Sequence, residues 1–170
     1  LSTIAYGDAV SNDTFAMEKI IKSMGYGTRI YAESIVAPLD KKDALKIEDL
    51  KEVQPDDIII FHMSTGSRLN FDVAKYNCRK VVVYHNITPP QYFEGNDARF
   101  TQICEYGLEG AKYLADKVDY CLAVSEFNKQ DLINMGYKCD IDVLPIIIPM
   151  SDYDKKPDKG VMKEYSDGYT

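Results

Sequence analysis

Only two histidines occur in the 170 residues, and each stands directly behind an apolar run. His62 follows Ile58-Ile59-Ile60-Phe61, and His85 follows Val81-Val82-Val83-Tyr84. Imidazole is the side chain whose ordinary pKa lies nearest neutrality, so it can hold or pass a proton, orient a hydroxyl, or ligate a metal. Other polar groups stand in the same relation to apolar runs. Gly7-Asp8-Ala9 follows the first, Ser64 comes two residues after His62, Asn86 follows His85, and Ser125 follows Tyr120–Val124. Neither histidine has a second ligand two or four residues away, so the spacing predicts no metal site.

Each of these groups also has a plain structural role open to it. A strand-ending histidine can hydrogen-bond a loop carbonyl. Ser125 opens S-E-F-N-K-Q and fits a helix N-cap, a role compatible with lining a cleft. Gly7 suits either a tight turn or a close backbone approach to a phosphate or sugar. Asp8 is open to three roles: acid or base, ligand for a sugar hydroxyl, or solvated loop residue. Pro89 and Pro90 stiffen a loop that would hold Tyr92, Phe93 and Glu94 over a cleft mouth, unless the aromatics pack on the helix behind.

Bringing these groups to one edge requires a parallel sheet. A short strand is predicted at 3–6, then a helix for which Ser11 and Asn12 offer capping oxygens. Its apolar face is Phe15, Met17, Ile20, Ile21 and Met24, and Gly25 or Gly27 ends it. Strands follow at 28–32, 58–61, 81–84, 120–124 and 141–144. Between them the periodicity predicts a short helix near 47–51 and helices over 68–76, 98–117 and 126–135. The unbroken apolar runs at 58–61 and 81–84 read as strands covered on both faces. Alternating strands and helices imply right-handed crossovers, hence an α/β fold with a doubly wound, Rossmann-like parallel sheet and helices on both faces. Such sheets take ligands at the carboxyl ends of their strands, where the groups above collect.

Composition removes several function classes. With 20 basic against 27 acidic residues the net charge is −7, which suits neither nucleic acid nor an anionic membrane surface. No apolar run approaches the roughly 20 residues of a membrane span. The four cysteines, at 78, 104, 121 and 139, form no C-x-x-C pair and read as reduced thiols of a cytoplasmic protein. No G-x-G-x-x-G follows the first strand and no P-loop motif occurs, so nicotinamide and P-loop ATP chemistry are not expected.

Three stretches carry a family likeness: V-V-V-Y-H-N-I-T-P-P-Q-Y-F-E-G, L-A-V-S-E-F-N-K-Q-D-L-I-N-M-G-Y, and V-L-P-I-I-I, with the opening Y-G-D-A-V-S-N-D beside them. They resemble the N-terminal, acceptor-side domain of retaining glycosyltransferases with the two-domain GT-B fold, close to family 4, over nearly the whole chain. The resemblance implies a domain at 1–150, a linker or start of an interdomain segment at 151–170, and a donor-binding C-terminal domain of the same parent chain that lies outside these residues. It also implies a nucleotide-diphosphate sugar as donor, a glycan or lipid-linked acceptor of cell-envelope polysaccharide, and no metal or other cofactor.

By position, His85 would stand beside the reacting sugar, with Gly7, Asp8 and Ala9 near the diphosphate and acceptor. Asn12, His62, Ser64, Asn86, Glu94 and Ser125 complete the expected substrate-binding set. Family members often have two adjacent glycines in the first loop; here Gly7 is followed by Asp8. The alternatives on this architecture are half of a GT-B-type nucleotide-sugar epimerase or phosphorylase, and a non-enzymatic sugar- or nucleotide-binding module.

Overall fold

A computed structural model describes residues 1–148, 150, 154 and 156–166. The sheet that organises it is built from the two apolar runs and the two strands that follow them. β5 (Ile58–Met63), β6 (Arg79–Tyr84), β7 (Tyr120–Ala123) and β8 (Asp140–Val143) lie side by side in chain order, every pair parallel. Parallel neighbours need crossovers, and helices supply them. α2 (Leu69–Asp72), extended by a 3-10 turn at Val73–Lys75, links β5 to β6. α3 (Ala98–Leu114) links β6 to β7, and α4 (Glu126–Asn134) links β7 to β8. The fold is therefore α/β and Rossmann-like.

β5 and β6 share one burial gradient. Each begins exposed, at Ile58 and Arg79, and ends with three buried residues, Phe61-His62-Met63 and Val82-Val83-Tyr84. The carboxyl ends thus lie deepest. Successive strand residues face opposite sides, which sorts these six. Phe61, Met63, Val82 and Tyr84 enter the main core with Cys121, Ala123, Leu114 and Leu132. Each such side chain contributes roughly 1.5–3 kcal/mol by leaving water. His62 and Val83 point the other way.

α3 crosses close to the chain between β5 and α2. A Cβ on Gly66 would stand 2.0 Å from the carbonyl oxygen of Ile103, and one on Gly107 would stand 2.8 Å from the amide nitrogen of Gly66. Asn70 sews the same contact, its side-chain amide donating to the carbonyls of Thr65 at 3.1 Å and Gly107 at 3.3 Å.

The first third of the chain is organised separately. β1 (Thr3–Ile4) pairs with β3 (Ser34–Ile35), and β2 (Tyr31–Ala32) pairs with β4 (Leu45–Lys46). Leu1, Ile4, Ile30, Ala32 and Ala44 form a second core there. The single strand expected at 28–32 is two short rungs either side of Glu33, whose carboxylate turns outward to accept from Ser67 and from Arg68 at 2.8 Å. α1 (Ala9–Ser23) runs back from β1 and ends at Gly25, which takes φ of 91°.

The expected cap of α1 is displaced by one turn. Asp8, not Ser11 or Asn12, is the N-cap: its carboxylate accepts from the Ser11 amide at 2.9 Å and from the Ser11 hydroxyl at 2.8 Å. Gly7, at φ 79°, makes the turn that aims Asp8 along the helix. All four cysteines are free thiols, with the sulfurs of Cys121 and Cys139 3.6 Å apart. The linker or interdomain segment expected at 151–170 lies partly outside the described residues; α5 (Lys159–Glu164), capped by Asp158, falls within it. No helix among the described residues is long and apolar enough to cross a membrane.

Candidate functional site

Strand parity brings the two histidines together. His62 is in register with Val83, and His85 lies two residues beyond Val83, so both imidazoles project from the same face of the sheet, one rung apart. The backbone continues the ladder past the strand end, with the His85 amide donating to the Met63 carbonyl at 2.9 Å. His62 Nδ1 and His85 Nε2 stand 2.9 Å apart. The ring centroids are 5.2 Å apart and the planes differ by 22°. That separation is the largest two imidazoles can reach with those nitrogens in contact. Both centroids and both nitrogens therefore lie on one line. The rings meet edge to edge along a straight N–H···N hydrogen bond rather than face to face.

The third member comes from α1. Asp13 is buried on the helix face turned toward the sheet, with Oδ2 3.7 Å from His62 Nδ1 and 3.6 Å from His85 Nε2. It sits beside the imidazole bond, nearly equidistant from its two ends. Its other oxygen, Oδ1, accepts from the backbone amide of Ile147 at 2.8 Å, in the segment leaving β8. Asp13, His62 and His85 thus offer three ligand atoms within 4.8 Å. A shared ion needs lone pairs that converge on it. Here the two ring nitrogens face one another, so the geometry is that of a hydrogen-bonded pair.

All three side chains are covered, at 4% exposure for His62, 2% for His85 and 3% for Asp13. This corrects the expectation of two imidazoles standing at the ligand-receiving edge and open to it: they share that edge, but beneath its surface. The cause is the burial gradient of β5 and β6 together with α1 lying across their ends. Burial pushes the His62 pKa down, and the neighbouring His85 adds to the effect. Burial also lowers that of His85, against an opposing pull upward from Asp13 and Asp8. Both shifts run downward from the ordinary 6.5 and so favour the neutral form of each ring at pH 7. His85 Nδ1 is buried and has no hydrogen-bond partner among the described residues.

The other expected residues divide by exposure. Gly7, Asp8, Ala9, Asn12 and Glu94 are exposed, while Ser64, Asn86 and Ser125 are half-buried. Asp8 is engaged as the α1 cap, which sets it apart from a free acid or base. A Cβ at Gly7 would meet nothing within 4 Å, so glycine serves the positive φ there. Asn86 also takes a left-handed conformation, φ 74°, turning the chain sharply after His85. Ser125 caps α4, accepting from the Asn128 amide at 3.2 Å, and the Asn128 side chain in turn donates to the Tyr84 carbonyl at 3.3 Å. Phe93 packs on Phe100 of α3 with ring centroids 5.4 Å apart, whereas Tyr92 stays 71% exposed.

Asp13 is the member the sequence reading missed. It lies mid-helix, five residues past the cap, and nothing local distinguishes it from a solvated helix aspartate. One signal was available: Asp13 falls on the apolar stripe of α1, four residues before Met17, where an ionisable group is out of place. Compared with known proteins, the chain matches no family model, no curated protein and no solved structure.

Proposed function

We propose that these residues form the acceptor-side domain of a nucleotide-sugar-dependent, retaining glycosyltransferase of the GT-B type, transferring a hexose to a glycan or lipid-linked acceptor. The observation that carries this reading is the unpartnered Nδ1 of His85 at the carboxyl edge of a parallel sheet. Buried polar atoms are almost always satisfied, and an exception marks a place where a partner is missing. The carboxyl edge is where open α/β sheets receive ligands, and a sugar hydroxyl has the chemistry to satisfy an imidazole nitrogen.

In this reading the exposed rim, Gly7, Ala9, Asn12 and Glu94, meets the diphosphate and acceptor, and His85 supports it from below. Because the imidazole is covered, a hydroxyl reaches Nδ1 only after the chain above it shifts. His85 then orients the sugar rather than acting as a general base, and the leaving phosphate takes the acceptor proton. The catalytic gain is positional: the acceptor oxygen is held against the anomeric carbon. A donor-binding domain beyond the present residues supplies the opposite wall.

The test is transfer by the uninterrupted product of the gene, followed as release of nucleoside diphosphate from a panel of nucleotide sugars with acceptor glycans. His85→Ala is expected to lower turnover about a hundredfold, the cost of misplacing a reacting group by an ångström. Unchanged turnover in that variant, or no release with any donor, refutes the proposal. Tight calorimetric binding of a nucleotide sugar by residues 1–170 alone would point instead to a self-sufficient binding module.

A further inference from the structure

We infer that His62 is a positioning residue, which locks His85 into the single tautomer that carries its proton on Nε2 and leaves Nδ1 as a bare lone-pair acceptor, with Asp13 steadying the bond between the two rings. The inference rests on the proposed function only in supposing that a ligand hydroxyl is what Nδ1 accepts from.

The straight contact between the rings holds one proton, which belongs to either His62 Nδ1 or His85 Nε2. In the first case His85, being neutral, carries its own proton on Nδ1, and a buried N–H is left with no acceptor. Orphaned buried N–H groups are the rarer defect in native proteins, and a lone pair without a donor is better tolerated. The proton therefore sits on His85 Nε2 and is donated to His62 Nδ1. Asp13 Oδ2, beside this bond at 3.6 and 3.7 Å, flanks the shared proton whichever ring carries it, so it steadies the bond without choosing between the tautomers. The Ile147 amide holds that carboxylate in place through Oδ1. A neutral imidazole with Nε2–H already spent can only accept at Nδ1. The site would then select a donor group such as a hydroxyl or an amide N–H, and it would reject a ketone or an ether at the same point.

The experiment is a long-range proton–nitrogen correlation spectrum of the imidazoles in nitrogen-15-labelled protein at neutral pH, recorded without substrate. The expected result is a pure Nε2–H tautomer for His85 with a slowly exchanging, downfield Nε2 proton. His62→Phe, which removes the acceptor, should return His85 to a mixture of tautomers. His62→Gln, whose side-chain oxygen can accept, should restore the single form. Asp13→Asn should speed exchange of that proton at least tenfold.

A wild-type His85 carrying its proton on Nδ1, or one already a mixture, overturns the inference without any need for variants. A His85 spectrum unmoved by His62→Phe does the same. Because no turnover is read, a correct tautomer combined with failed glycosyl transfer would count against the proposed function alone.

Discussion

Buried neutral histidines make stability depend on pH in a calculable way, and His62 offers the cleanest perturbation. Its pKa in the folded chain lies below the ordinary 6.5, chiefly through burial. As pH falls below 6.5 the unfolded state takes up a proton that the folded state refuses, so stability is greatest above that value and declines beneath it. An unfolded imidazole is about a quarter protonated at pH 7 and almost fully so at pH 5. Integrating 2.303RT per proton over that interval gives a loss of about 2 kcal/mol for one histidine that stays neutral when folded.

His62→Gln removes the titrating group and keeps a hydrogen-bonding side chain of similar reach. Urea denaturation of wild type and variant at pH 7 and pH 5 isolates the term, because titration of the carboxylates common to both cancels in the difference. Wild type should lose about 2 kcal/mol more than the variant between the two pH values. Parallel loss in both proteins would mean that His62 is charged or solvated in the folded state, and the burial argument for the pair would fall with it.

Other expectations follow from packing and capping. Gly66→Ala should destabilise the fold by about 3 kcal/mol, the upper end of ordinary overpacking, measured by denaturant unfolding, since its methyl would press on the Ile103 carbonyl and neither backbone can yield cheaply. Asp8→Ala should cost about 1 kcal/mol by the same measurement, through loss of the α1 cap, whereas Asn12→Ala, at an exposed position, should cost less than half of that.

The readable parts of the fold were those written in local sequence. Uninterrupted apolar runs announced β5 and β6, and Gly25, one of the two glycines expected to stop α1, does so with a positive φ. Parity along two strands was enough to set His62 and His85 on one face. Three features were not local. Which residue caps α1 depended on the turn at Gly7, and the Y-G-D sequence moved the cap ahead of the two polar residues expected to serve. Interruption of the early strand at Glu33 reflects its bonds to Ser67 and Arg68, more than 30 residues away. The depth of the imidazoles followed from how α1 crosses the strand ends, a tertiary fact with no signature in spacing, and Asp13 was marked only by its place on the apolar stripe of α1. A strand-ending polar residue is legible as lying at the edge; whether that edge is open is decided by what lies across it.

Asp13 faces two ways, one oxygen toward the imidazoles and the other tethered to the backbone at Ile147. That tether ties the path by which the chain departs the sheet to a buried carboxylate beside both imidazoles. A pull on the stretch after β8 is therefore felt at His62 and His85 as a displaced negative charge. Substitutions near residue 147 can alter the behaviour of the histidines without touching either ring.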